Sequence, residues 1–180
     1  MVQGELGSTS ECVRVVLHNA GFVLVVRNLP KLYIETSVIN GPLSKDSRIT
    51  LISSVFWDRV KAGELEAHIS SYVLFELGKT RDGAKRNRLL DIASICILDS
   101  PSGMEVEKLA DEYVRREMIP RQYVFDAYHI ASASLGGFEA LVTWNFEHIL
   151  REKTERLLET INREKNIRIP WLRSPEVYVW

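Results

Sequence analysis

Four oxygen-bearing side chains stand where the surrounding pattern asks for apolar or neutral residues: Glu35, Glu76, Asp126 and Asn145. Glu35 follows the apolar run Leu32-Tyr33-Ile34, and Asn145 lies just past the apolar run Ala140 to Thr143. Glu76 would share a helix face with Val73, Leu77 and Thr80, and Asp126 one with His129, Ile130 and Ala133, because residues three and four apart are neighbours on a helix. A buried carboxylate without a partner is costly, so each acid needs one. Gathered at one place, the acids would raise one another's pKa by repulsion and desolvation unless a divalent cation neutralised them. Hard oxygen donors, with no cysteine pair or paired histidines among them, suit Mg²⁺ or Mn²⁺ rather than Zn²⁺.

Each residue also has a plainer reading. Asp126 fits the first turn of a helix, where the dipole favours a negative charge. Glu76 could pair with Lys79 or Arg81, Glu35 could be a strand-end residue ahead of the caps Thr36 and Ser37, and Asn145 could be a turn former. His129 reads as a packed core residue and His148 as a surface or capping residue. What favours a site is convergence, since four independent accidents rarely meet at one sheet edge.

Positioning them requires alternating strands and helices. After Pro30, short apolar runs at Leu32–Ile34, His68–Ile69, Ile95–Leu98 and Ala140–Thr143, with a further one at Ile167–Ile169, read as strands. Between them, helical spacing marks Arg48–Ala62 closed by Gly63, Tyr72–Lys79 capped by Ser70 or Ser71, and Ala84–Ala93. It also marks Val106–Val114 ahead of Pro120, a helix from Val124 stopped by Gly136-Gly137, and Thr154–Lys165. Such alternation implies right-handed crossovers and an α/β fold, a mostly parallel sheet of about five short strands with helices on both faces. Ligands bind such sheets outside the carboxyl ends of the strands, where Glu35 and Asn145 fall.

Composition narrows the rest. At 180 residues, 46% hydrophobic and 26% charged, the chain can fill one core. A net charge of −1 gives no global sign of a nucleic-acid binder, so any basic surface is local. The densest basic run, Lys79, Arg81, Lys85, Arg86 and Arg88, is a candidate RNA-binding strip or simply a solvated helix face. Cys12 and Cys96 have no metal-ligand spacing and fit a reducing compartment. No apolar run approaches the roughly 20 residues that span a bilayer, and Arg14, His18 and Asn19 interrupt the early apolar stretch, so neither a membrane span nor a secretory signal is expected and the protein reads as cytoplasmic. Residues 1–30 form an N-terminal extension whose first ten residues read as loose. Val13–Leu17 and Phe22–Val26 read as a hairpin, an apolar extension that packs on a partner, or a stretch translated from an early start codon. No glycine-rich phosphate loop, Gly-x-Ser-x-Gly elbow or His-Glu-x-x-His pair is present.

The order Tyr33-Ile34-Glu35-Thr36-Ser37-Val38-Ile39, Ser71 through Phe75-Glu76-Leu77, Asp126-Ala127-Tyr128-His129-Ile130-Ala131, Leu141 through Thr143-Trp144-Asn145 to Ile149, and Ile161-Asn162 onward to Ser174-Pro175-Glu176-Val177 resembles the PIN-domain nucleases. Within them it is similar to the VapC-like toxins of type II toxin–antitoxin systems. The resemblance covers residues 31–177 and implies a PIN-like nuclease domain over 31–180. It implies that Glu35, Glu76, Asp126 and Asn145 are catalytic and bind Mg²⁺ or Mn²⁺, with Ser37 and Thr143 in support. Two positions depart from the family pattern: Glu35 stands for an aspartate, and Asn145 for what is often an aspartate. It further implies endoribonuclease activity leaving 5′-phosphate and 3′-hydroxyl ends, a cognate antitoxin, and a homodimer built through exposed apolar helix faces. Two other readings stay open: a catalytically weak PIN-like module that binds RNA or protein, and a metal-dependent phosphotransfer enzyme, which would normally want an aspartate nucleophile where Glu35 stands.

Overall fold

The computed structural model describes residues 29–180 in full and, before them, the backbone of residues 13–18 and 21–26. Those two segments are strands β1 (Val13–His18) and β2 (Gly21–Val26), paired antiparallel from Val13 opposite Val26 to His18 opposite Gly21. The two runs therefore pair as a hairpin, one of the readings that the sequence leaves open. The expectation of a loose segment over residues 1–10 lies outside the described residues.

The main sheet has five strands, all parallel, in the order β5-β4-β3-β6-β7: β3 is Lys31–Ile34, β4 Glu66–Ile69, β5 Ile97–Leu98, β6 Ala140–Val142 and β7 Trp171–Arg173. The α/β expectation is borne out, and the sheet is wholly rather than mostly parallel. Leu32, Tyr33, Ile34, Ala140, Leu141 and Val142 are fully buried because β3 and β6 have strands on either side and helices above and below. From β3 the chain runs through α1 (Thr36–Asn40) and α2 (Ser47–Lys61) to β4, then through α3 (Ser71–Gly78) and α4 (Gly83–Ala93) to β5. It then crosses back through α5 (Met104–Arg115) and α6 (Val124–Leu135) to β6 and ends through α7 (Glu152–Glu164) at β7. Steps to β4 and β5 go one way and steps to β6 and β7 the other. Right-handed crossovers then place α1 to α4 on one face and α5 to α7 on the opposite face. The direction reverses between β3 and β6, which makes their carboxyl ends the topological switch point.

Local chemistry sets the boundaries. Asp46 caps α2, its Oδ1 accepting from Arg48 N at 2.8 Å and Ile49 N at 3.2 Å, and Asp82 caps α4 through Lys85 N at 2.9 Å. At the end of α6 two glycines do different work. Gly137 takes φ +68°, whereas a side chain at Gly136 would collide with the Phe138 ring at 2.3 Å. His68 in β4 bridges Asp99 Oδ1 at 2.7 Å and Glu66 Oε1 at 2.8 Å, fastening the thin β5 edge. Among the described residues no helix is long and apolar enough to cross a membrane.

Two strand expectations shift. Ile95 and Cys96 close the turn after α4, donating to Ile92 O and Ala93 O, so only Ile97 and Leu98 reach the sheet. The last strand is not Ile167–Ile169 but Trp171–Arg173. Asn166 turns the chain at φ +53°, Ile167 N donates back to Asn162 O at 2.9 Å, and the Asn162 amide claims the Arg168 carbonyl at 2.7 Å. Those polar groups are spent before a ladder can form. Asn162 is fully buried and also accepts from Tyr113 Oη at 2.7 Å and donates to Ser134 Oγ at 3.0 Å, so it clips α5, α6 and α7 together. Asn162→Ala removes three side-chain hydrogen bonds, to Tyr113, Ser134 and Arg168, although Tyr113 and Ser134 still bond to each other, and is expected to lower unfolding free energy by about 2–4 kcal/mol, read as a lower urea midpoint at unchanged slope.

Candidate functional site

Where β3 ends, Glu35 turns the chain into α1 and caps that helix itself: its Oε2 accepts from Ser37 N at 3.0 Å and from the Ser37 hydroxyl. Thr143 Oγ1, just past β6, donates to the same oxygen at 2.8 Å. The two hydroxyls also tie the strand ends together, because Ser37 Oγ accepts from Trp144 N at 2.8 Å and Thr143 Oγ1 from Asn145 N at 2.9 Å. Glu35 is thereby held almost fully buried, 6% exposed.

Glu76 projects from α3 toward the same strand ends. Its Oε2 accepts from the Thr36 hydroxyl of α1 and lies 2.7 Å from His129 Nε2 of α6. The other ring nitrogen, Nδ1, lies 2.7 Å from Tyr33 Oη, which in turn lies 2.7 Å from Ser70 Oγ. Ser70 is the cap residue of α3, yet its hydroxyl serves Tyr33 rather than the helix. Burial alone would push the Glu76 carboxyl up; the His129 hydrogen bond and charge, with Thr36 and Lys79, outweigh it and hold the pKa below the usual carboxylate value. Burial pushes His129 down, but Glu76, Glu35 and Asp126 together raise it above the ordinary imidazole value.

Asp126 sits in the first turn of α6. Its Oδ2 accepts from Asn145 Nδ2 at 3.0 Å and faces His148 Nδ1 at 3.0 Å. Asn145 Oδ1 accepts from His148 N at 2.9 Å, so both ends of this amide are in use, one on Asp126 and one closing the turn that brings His148 back. The Tyr123 ring lies against His148 at 3.6 Å between centroids. Burial and then the charge of Glu35 push the Asp126 carboxyl up to about 6, against partial relief from His129, His148 and Asn145.

Glu35, Glu76 and His129 each offer a ligand atom within 4.8 Å of the others, and Asp126 stands beyond that group but within reach of the Glu35 charge. The hydrogen bonds to the three carboxylates fall on one oxygen apiece: Glu35 Oε2, Glu76 Oε2 and Asp126 Oδ2. Among the described residues the second oxygens carry no protein partner, and neither Lys nor Arg forms an ion pair with any of the three. Three acids therefore face only two imidazoles. Donor type and charge both fit a hard divalent cation, and Mg²⁺ habitually takes only one or two carboxylates directly and keeps several waters.

Of the basic run, Lys79 is the residue beside the site; its Nζ lies 4.1 Å over the Phe75 ring and 4.4 Å over Phe125. Arg86 is tied to Thr80 O at 2.9 Å, while Arg81, Lys85 and Arg88 make no bond to the acidic set among the described residues. Tyr33, His129 and His148 are the partners that pattern reading did not assign to the acids. The signal for His148 was its spacing from Asn145, an Asn-x-x-His turn; nothing in the apolar run marked the Tyr33 hydroxyl.

No protein-family model matches the sequence, and no curated protein does. Solved structures do. The chain is similar to FitAcB from Neisseria gonorrhoeae, with a TM-score of 0.51 and 15% identity over 80% of this chain and 97% of that one. It also aligns with VapBC2 from Rickettsia felis bound to a DNA fragment from their promoter, with a TM-score of 0.47 and 17% identity over 79% of this chain and 97% of that one. At such identities the FitAcB likeness is one of fold: a PIN-like α/β domain.

Proposed function

We propose that this protein is a Mg²⁺- or Mn²⁺-dependent endoribonuclease and the toxin of a toxin–antitoxin pair. The observation that carries the reading is the set of three inward carboxylates at the switch point, each with one oxygen fastened and one without a protein partner, and no Lys or Arg paired to them among the described residues. The choice of RNA and of the antitoxin comes from the ordered resemblance described above, and the fold shared with FitAcB agrees with it.

In this reading Glu35, Glu76 and Asp126 hold the ion, and Asn145 holds Asp126, which favours one ion over two. The bound ion would lower the pKa of an attacking water and offset charge on the phosphoryl oxygens. Ser37 and Thr143 keep the Glu35 carboxylate from rotating, Thr36 and His129 do so for Glu76, and His148 with Asn145 for Asp126. Lys79, next to the acids, offers a cation to the RNA backbone, while Arg81, Lys85, Arg86 and Arg88 extend the positive strip away from the cleft. An antitoxin segment with an arginine reaching the carboxylates would silence the site. A homodimer would use an exposed apolar helix face such as that of Phe75, which is 56% exposed.

The test is cleavage of an RNA panel with Mg²⁺ or Mn²⁺, repeated with EDTA. Cleavage that persists in EDTA would sink the metal–carboxylate mechanism. Metal-independent RNA binding with no cleavage would instead favour a binding module, for which the fully engaged Asn145 amide is the structural argument.

A further inference from the structure

The polar chain behind Glu76 has no counterpart in the ligand set. Tyr33 of β3 and His129 of α6 are both fully buried, and they connect Ser70, Tyr33, His129 and Glu76 through contacts of 2.7 Å each. A histidine whose two nitrogens both meet partners has its ring orientation specified, since a flipped ring would turn carbon atoms toward Tyr33 and Glu76. The Tyr33 and His129 rings also pack at 5.8 Å. Such a strut is costly to break and has no solvent to substitute for it.

We propose that Tyr33 and His129 are positioning residues, a buried strut that aims the Glu76 carboxylate from behind. This rests on the reading above only in taking Glu76 as a metal ligand. His129 also has a ligand atom within 4.8 Å of Glu35 and Glu76, so direct coordination is the competing role. Geometry argues against it: Nε2 already faces Glu76 Oε2, and Nδ1 faces Tyr33. Partners behind a ligand that fix its orientation typically change metal affinity by about 10–100-fold when removed.

Two substitutions at His129 separate the roles. His129→Gln places an N–H near the Nε2 position and keeps the Glu76 bond; His129→Asn places one near Nδ1 and keeps only Tyr33. Mn²⁺ titration of the whole chain should show affinity within a few-fold of native for His129→Gln and about 10–100-fold weaker for His129→Asn, with about tenfold for the milder Tyr33→Phe. Equal losses for Gln and Asn would overturn the proposal, as would a directly bound imidazole nitrogen in the electron spin-echo spectrum of the Mn²⁺ complex. A metal-free readout runs beside these. In EDTA the melting-temperature losses of Tyr33→Phe and Glu76→Ala should be non-additive, because the two residues share His129 as partner. Additive losses overturn the strut. A native chain that binds no Mn²⁺ but melts non-additively would remove the metal reading and leave the positioning of Glu76 standing.

Discussion

Asp126→Asn is expected to abolish metal-dependent RNA cleavage, weaken Mn²⁺ binding by on the order of a hundredfold, and at the same time make the metal-free protein more stable near pH 7.5. The first two effects follow from charge. Unit charges 4 Å apart interact by about 4 kcal/mol at an effective dielectric of 20, and about 3 kcal/mol of that surviving is about a hundredfold in affinity. The third follows from Asp126 being disfavoured as an anion: burial and the Glu35 charge raise it from 3.8 to about 6, worth about 3 kcal/mol at 1.36 kcal/mol per pH unit. Asparagine has the same shape, can still accept from Asn145, and carries no charge to repel Glu35. Activity and stability thus move in opposite directions, the signature of a residue held in place for binding rather than for folding. RNA cleavage, Mn²⁺ titration and thermal melting in EDTA check the three arms, and a variant that binds Mn²⁺ as native does would remove Asp126 from the ligand set.

The outline of this site can be read in the sequence because its acids interrupt apolar periodicity. Glu35 after Leu32-Tyr33-Ile34 and Asp126 on the face of Ile130 are anomalies that need no coordinates. Their partners are not anomalies. Tyr33 counts as one more large residue in a core strand, and its hydroxyl acquires meaning only because β3 lies beside α6 and the Ser70 end of α3. His129 has the spacing of a packed residue, and it is fully buried, yet the two polar contacts that make burial tolerable come from residues 96 and 53 positions away. Helix α1 is five residues long, too short for periodicity, and its cap is Glu35 itself rather than Thr36 or Ser37. The displaced last strand has the same origin: Ile167-Arg168-Ile169 has strand propensity, but tertiary hydrogen bonds to Asn162 take its polar groups, and Trp171 is the first residue free to pair with β6.

Metal and proton should compete for this cleft, so stability should fall with rising pH in EDTA and stay much more nearly level in Mn²⁺. Take the metal-free protein first. Asp126 has a folded value of about 6, above its value of 3.8 in a free chain. Between these values the unfolded chain gives up its proton while the folded one keeps it, so stability falls as pH rises and the full cost is present above pH 6. His129 is raised as well, so the stability it contributes is complete below its unfolded value and is lost as pH climbs through its folded one. Glu76 is lowered and acts in the opposite sense, but its contribution is lost only as pH falls below the normal carboxylate range. Across pH 5 to 8 the net slope in EDTA is therefore downward. With Mn²⁺ the ion binds the ionised carboxylate, so below pH 6 its affinity should drop about tenfold per pH unit, one proton being displaced. Saturating Mn²⁺ at 100 times its dissociation constant adds about 2.7 kcal/mol, enough to offset most of the carboxylate's cost at pH 7.5, and about half as much at pH 5, where the affinity has dropped about tenfold. Melting curves measured at pH 5, 6, 7 and 8 should thus diverge as pH rises, and Asp126→Asn should close most of the gap. Parallel curves with and without Mn²⁺ would mean that the ion does not bind where these three acids meet.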